Sequence, residues 1–336
     1  MKRTSSTSTM LSTMARTQPE RGTARGVAIR DPLPWRDLVE IVKTAEQTGY
    51  EALFVPESSG REAFSTLAGL SGQTEALRLG TGIVTIVARR LSTTAMAAAT
   101  VHEISGGRLI LGVGTGPVGP GALDRLREFV TLLRSALEGE EVQMPEGGRF
   151  RLAFQPGHGP VPIWIAALNP KAMRLAGEIA DGVLLNWCPP ERVAFARERI
   201  REGANAAGRD PASVTLAVYV RACVGQEPVA AMAALAAMAA QYASYPAYRR
   251  QFEAVGLGEQ ARAAAEALAT GRPDRVPEDL VHRVCLMGEA SEALGGLRAY
   301  VDAGADLPVV YPVPTRDPLS SILGTVFALA PHPQVE

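Results

Sequence analysis

Four places along the chain carry residue types whose chemistry depends on where a fold would put them. Glu57 directly follows the apolar run Ala52–Pro56, ALFVP. A carboxylate at a strand end can donate or accept a proton if burial raises its pKa toward neutrality. The same residue can equally be a solvated loop glutamate or the partner of an arginine. Ser58 beside it offers a hydroxyl to a ring or a substrate atom. Gly112, Gly114 and Gly116, with Thr115 among them, close the run SGGRLILGVGTG at 105–116. A strand end without side chains lets a flat ring or a phosphate approach the backbone; tight packing or a bulge at a barrel rim needs the same glycines. Ala166, Ala167, Leu168 and Asn169 end another apolar run, and Pro170 suits the first turn of a helix. Backbone N–H groups there form an anion site that Lys171, one of three lysines in the chain, can reinforce; a solvated helix lysine is the plain alternative. Asn186 and Trp187 end a further run. Its amide can meet the polar edge of a ring or its phosphate linker, and its indole can be a pocket wall or ordinary core.

These residues need strands to hold them, and the pattern supplies strands alternating with helices. Apolar runs at 26–30, 52–56, 79–84, 109–114, 163–167, 182–185, 214–224 and 307–311 read as eight strands. Helical spacing predicts helices over 35–48, 63–74, 93–104, 123–138, 170–180, 191–207, 292–303 and 320–329, and RFRLAF at 149–154 reads as a hairpin. A helical insertion follows the seventh strand, near 228–284, its Ala- and Met-rich face suited to packing. Near-continuous apolar strands are buried on both faces. The fold class expected is therefore α/β, a (β/α)₈ TIM barrel with insertions. The competing doubly wound sheet lacks support, because GVGTG is not a GxGxxG fingerprint and no acidic residue follows at the required distance.

The bulk numbers narrow the partners. With 336 residues and 46% hydrophobic content, the chain can bury one large core. A net charge of −1 argues against nucleic acid or a membrane surface as a partner. Cys188, Cys223 and Cys285 lie too far apart for a disulfide framework or a zinc motif, which fits a reducing cytoplasm; with the histidines scattered, no metal site is expected. Residues 1–25 are rich in Ser, Thr and Arg and read as a disordered tail, or as a start codon set too early, with Met10 or Met14 the alternatives. The tail lacks the apolar core of a signal peptide, and no later stretch reads as a transmembrane span.

Four segments resemble the luciferase-like flavin and deazaflavin oxidoreductases, in that family's order: LRLGTGIVTIVARR at 77–90, SGGRLILGVGTG at 105–116, PVPIWIAALNPKAMRLAGEIADGVLLNW at 160–187 and EALGGLRAYVDAGADLPVVYPV at 292–313. The resemblance implies a single (β/α)₈ barrel domain over 26–336 that binds FMN or the 5-deazaflavin coenzyme F420 at its C-terminal mouth. GREAF at 60–64 and the PVVYPVP ending are most similar to the F420-dependent branch, near methylenetetrahydromethanopterin reductase. It further implies a bulge in the third strand with a non-proline cis peptide between Gly82 and Ile83 against the ring, and Thr85 nearby. It makes Glu57 the residue expected to face the ring. Arg90-Leu91 departs from the family's pattern, so only Arg89 is carried over there. His282 and Arg283 lie near the expected mouth, where a helix-surface role competes with contact to substrate. His102 and Glu103, before the SGGR turn, read as structural.

The activity expected is hydride transfer between F420 and a small organic substrate, with the barrel supplying orientation, a dry pocket and a proton donor. The alternative is an FMN-dependent monooxygenase using reduced flavin and O₂, which would need a flavin reductase partner. A second alternative is a flavin-binding barrel without catalysis. The resemblance also implies a homodimer.

Overall fold

A computed structural model describes residues 24–30, 33–116 and 119–331; residues 1–23 of the expected tail lie outside the described residues. Strands β1 (Gly26–Ala28), β2 (Ala52–Val55), β3 (Arg78–Thr81), β5 (Leu109–Gly114), β8 (Ile163–Ala166), β9 (Gly182–Asn186), β10 (Thr215–Val224) and β12 (Leu307–Pro312) form the wall of a barrel. Each pairs in parallel with the next, and β12 closes back on β1. β4 (Val84–Thr85) continues beside β5, and β11 (Cys285–Gly288) extends β10 beyond the barrel.

Helices α1 (Trp35–Gln47), α2 (Ala63–Ser71), α3 (Leu91–Ile104), α4 (Ala122–Leu137), α5 (Pro170–Ile179) and α6 (Pro190–Ala206) follow successive strands; α11 (Ala290–Asp302) and α12 (Pro318–Ala328) complete the set. Between β10 and β11, α7 (Pro228–Ala243), α8 (Pro246–Glu253), α9 (Gly258–Ala269) and α10 (Glu278–Val284) form the helical insertion. Among the described residues no helix is long and apolar enough to cross a membrane.

Alternation along each strand divides the core. On β2, Leu53 and Val55 face the helices while Ala52 and Phe54 fill the lumen; on β10, Val218 and Val220 face out while Ala217 and Tyr219 face in. Both faces are apolar, which is why these strands read as unbroken runs. The insertion packs its own core over Trp187, Cys223, Cys285 and Val313, at the C-terminal ends of the strands. The helical layer closes most tightly between α5 and α6. A side chain at Gly203 would place Cβ 2.0 Å from the Arg174 carbonyl oxygen, and one at Gly177 would place it 2.1 Å from that of Ile200.

Several boundaries differ from the sequence reading. The third strand stops at Thr81 and resumes at Val84. Of the expected 149–154 hairpin only Arg149–Phe150 pairs, with Val142–Gln143, because Gly147 and Gly148, both at positive φ, turn the chain between them. Cys285–Gly288, which follows the expected insertion and carries no reading from sequence, is a strand on β10. Arg25, placed in the tail by composition, belongs to the body: its Nη1 donates to the carbonyls of Leu329 and Ala330, each at 2.7 Å.

Gly203→Ala should lower stability by about 2–3 kcal/mol, since backbone meets the added methyl and no side chain can yield. Gly295→Ala on α11, where a Cβ has open space, should be neutral or slightly stabilising. Urea titrations of both variants check this.

Candidate functional site

The C-terminal mouth is shaped by one extra residue. Gly80 pairs with Ile110, and Val84 with Val113, so the chain advances from 80 to 84 while β5 advances only from 110 to 113. That is a bulge. The Gly82–Ile83 peptide within it is cis. Buried Thr81 locks its base: its hydroxyl donates to the Gly112 carbonyl and accepts from the Gly112 N–H, both at 2.8 Å. Ile83 is thereby turned into the lumen cluster beside Phe54 and Tyr219.

The glycines answer to this bulge. A Cβ at Gly112 would lie 2.2 Å from the Thr81 carbonyl oxygen, and one at Gly114 would lie 2.8 Å from Ile83 Cδ1. One at Gly82 would lie 2.0 Å from the Tyr219 hydroxyl, which donates to the Gly82 carbonyl at 3.2 Å. The space at 112 and 114, expected to stand open for a ring, is occupied by the bulge. Ile83 keeps a half-buried face at the mouth. Gly116 takes φ 67° beside Thr85 and Val87, and the Thr115 hydroxyl donates to its carbonyl at 3.1 Å.

Glu57 is brought to an arginine. Arg89 Nε donates to Oε1 at 3.0 Å and Nη2 to Oε2 at 2.6 Å, a bidentate fork, and Oε2 also accepts from the Ala63 N–H at 3.0 Å. Arg89 further pairs with Glu62, the N-cap of α2, and lies 5.0 Å over the Phe64 ring. The hydrogen bond from Glu57 leads the effects that hold the Arg89 guanidinium above its usual pKa. Glu57 thus ties the loop after β2 to the loop before α3 through an arginine, the partnership that the sequence reading held beside the proton-transfer role. Ser58 is exposed.

At the end of β8, Ala167 N–H donates to the Leu184 carbonyl at 3.3 Å, and the Leu168 carbonyl accepts from Arg192 at 3.3 Å. Ala166 is half-buried at the rim. Asn169 caps α5, accepting from the Ala172 N–H at 3.0 Å, while Met173 N–H bonds the Asn169 carbonyl. Pro170 has no N–H, so Lys171 keeps the one open donor of that turn, beneath its exposed side chain. The expected anion site is therefore much reduced.

Asn186 is committed within the protein. Its Oδ1 accepts from Arg221 and its Nδ2 donates to the Tyr248 hydroxyl at 2.6 Å. Gln251 fixes the strand end by donating to the carbonyls of Asn186 and Trp187, both at 2.7 Å. Trp187 takes φ 55°, a conformation unfavourable for a bulky residue, and its buried Nε1 has no hydrogen-bond partner. Arg221, Tyr219, Tyr248, Tyr311 and Gln251 complete this side and were missed by sequence reasoning. The signal for Tyr219 and Arg221 was present in VTLAVYVRACV, where a cation interrupts an apolar strand. Burial pushes the Tyr311 hydroxyl up to about 12, so it remains protonated at neutral pH. Away from the lumen, Arg283 pairs with Glu191 at 2.5 Å and His282 is exposed.

Residues 9–307 match the family described as luciferase-like monooxygenase, and the chain belongs to it. A 5,10-methylenetetrahydromethanopterin reductase from Methanolobus tindarius is 35% identical over 212 residues, 59% of this chain and 64% of that protein. The chain thus spans a little under two thirds of the length of that relative. A Mycobacterium tuberculosis protein provisionally named a coenzyme F420-dependent oxidoreductase is 26% identical over 319 residues, 82% of this chain and 91% of that one. The structure of the coenzyme F420-dependent tetrahydromethanopterin reductase from Methanopyrus kandleri superposes with a TM-score of 0.75 at 23% identity, over 91% of this chain and 97% of that one. That likeness establishes the barrel fold.

Glu57→Gln should cost about 1–2 kcal/mol, because the charged fork on Arg89 becomes a neutral contact at a site only 17% exposed. Denaturant unfolding of the variant beside Arg89→Gln checks it: the two losses should be similar and not additive.

Proposed function

We propose that the protein is an F420-dependent oxidoreductase that moves a hydride between the 5-deazaflavin and a small organic substrate at the C-terminal mouth. The observation that carries this reading is the bulge at 81–84, which aims Ile83 into the lumen top in a chain whose Mycobacterium tuberculosis relative is named for F420. The residues present fit a flat ring: Ile83 offers an apolar face, and Gly82 has no Cβ because Tyr219 fills that place.

Bound there, a 5-deazaflavin supplies a ring carbon that gives or takes a hydride. The chain's part is to hold and to dry. Ile83 would buttress the ring, with Gly82, Thr85, Thr115 and Gly116 bordering it. The Ala166–Asn169 rim and Lys171 border the linker side. Phe54, Trp164, Tyr219 and Tyr311 exclude water from below. Glu57 keeps Arg89 and the α2 start in place at the mouth, with Ser58 at its exposed edge. A role for Glu57 as proton donor would appear as a lost alkaline limb in the pH profile of Glu57→Gln, and a role as acceptor as a lost acidic limb; an unchanged profile leaves it an anchor. We place the enzyme in the cytoplasm as a homodimer.

A second reading, favoured by the family's description as monooxygenases, puts FMN in the same place with O₂ and a separate reductase. Fluorescence titration of the purified protein separates the two. F420 should bind saturably and at least tenfold more tightly than FMN. Tight FMN binding with no response to F420 would overturn the proposal.

A further inference from the structure

We propose that Arg221 is a built receptor for a planar carboxylate on the substrate, set among aromatic rings between the lumen and the helical insertion. The inference rests on the mouth being the place where substrate meets the coenzyme.

Arg221 lies on β10 one inward position beyond Tyr219, opposite Tyr311 and Cys285 in the neighbouring strands. It is 1% exposed. Burying a guanidinium costs several kcal/mol unless an anion or good hydrogen bonds offset it. No carboxylate among the described residues lies within ion-pair distance of it. Arg89, nearer the rim, is by contrast bound by Glu57 and Glu62. The one hydrogen bond Arg221 makes among the described residues runs from Nη1 to Asn186 Oδ1, and its buried Nε has no partner.

The charge is held by rings instead. Its carbon lies 4.2 Å from the Tyr311 centroid, 4.6 Å from Trp187, 5.2 Å from Tyr242 and 5.7 Å from Tyr219. Such contacts are attractive, and more so for a desolvated cation than for an exposed one. They make the cation tolerable without consuming its N–H groups. With Nη1 committed to Asn186, the side edge formed by Nε and Nη2 is left, and that edge is the fork that matches a carboxylate. Arg89 uses the same two nitrogens on Glu57.

The walls name the rest of the ligand. Flat rings on several sides suit an aromatic or otherwise apolar body behind the carboxylate. Trp187 Nε1, also without a partner, is a further donor in the same wall. On the solvent side the site is covered by Tyr242 and Tyr248, which pack on the exposed Tyr245 at the turn between α7 and α8. Tyr219 bridges the two halves of the site, touching Gly82 of the bulge with its hydroxyl and Arg221 with its ring.

Benzoate is the probe, with benzamide as its neutral counterpart, titrated into the full-length protein without coenzyme. Heat and the emission of Trp187, the tryptophan stacked on Arg221, are followed. Benzoate should bind saturably and benzamide should not. Arg221→Gln should weaken benzoate by about 10- to 100-fold, the loss of a charge-assisted fork. Arg221→Lys, which keeps the charge without the fork, should also lose affinity, and it carries the comparison if the Gln variant does not fold. Trp187→Phe should lose the optical signal and keep the heat. The melting temperature of unliganded Arg221→Gln should hold or rise, because an uncompensated buried charge is removed.

No saturable heat with benzoate, or equal affinity in wild type and both variants, would overturn the assignment. F420 and FMN titrations of Arg221→Gln should match wild type. A tenfold loss there with benzoate unaffected would assign the cation to the coenzyme and also overturn it. Since benzoate is tested without coenzyme, failure of the F420 reading and failure of this one are read separately.

Discussion

One residue more on the β3 side than on the β5 side, between Gly80 and Val84, decides what the mouth of this barrel presents. Without it, Ile83 would follow the alternation of the strand. With it, the chain leaves the β5 ladder and returns one register later. The Thr81 hydroxyl, bonded both ways to Gly112, keeps the ladder satisfied across the gap. Gly112, Gly114 and Gly82 then have no room for side chains, because the bulge and Tyr219 stand where those side chains would be. The glycines are a consequence of the bulge rather than independent pieces of a binding loop.

Charge is distributed unevenly around the same rim. On the β2–β3 side Arg89 is bound by carboxylates, and Glu57 and Glu62 also satisfy N–H groups at the start of α2. That side is electrically closed and its loops are tied to one another. On the β9–β10 side Arg221 faces rings, and its amide partner Asn186 is itself held through Tyr248. Phenol hydroxyls pushed up by burial, Tyr311 to about 12, do not ionise at neutral pH and so do not compensate it. The barrel supplies both arginines, Arg89 from the loop before α3 and Arg221 from β10, and the insertion, through Tyr242 and Tyr248, builds the cover over the second.

The barrel was legible because burial on both strand faces leaves unbroken apolar runs, and helix N-termini such as Asn169-Pro170 announce themselves. The bulge was not legible from LGTGIVT by pattern alone: a skipped register changes pairing without changing composition, and only the family resemblance pointed to Gly82–Ile83. Glu57 was found by its place after a strand, yet its partner Arg89 is 32 residues away, a pairing no local pattern reveals. The glycines at 112 and 114 carried two readings from the start, and packing decided between them. Arg221 was overlooked for the opposite reason. In a strand that alternates two buried faces, a lone arginine reads as an interruption, and its inward register becomes evident only when Tyr219 and Tyr311 are seen beside it.

The two halves of the mouth meet at Tyr219. Its hydroxyl is engaged by the Gly82 carbonyl and its ring contacts the Arg221 guanidinium and the Phe54 and Tyr311 rings. A residue held from so many directions has little freedom to rotate, and the lumen beneath it is filled by Trp164 and Phe54. Any displacement of the bulge therefore presses on Tyr219, and through its ring on the aromatic wall around Arg221. Likewise, a shift of the Tyr242–Tyr248 cover alters what packs against that wall without touching the bulge. The rigid element of this site is the β3–β5–β10 side of the lumen, fixed by hydrogen bonds and close packing. The adjustable element is the helical insertion, joined to it through side chains at the ends of β9 and β10. Differences in what such a barrel accepts can then be written into the insertion while the bulge stays unchanged.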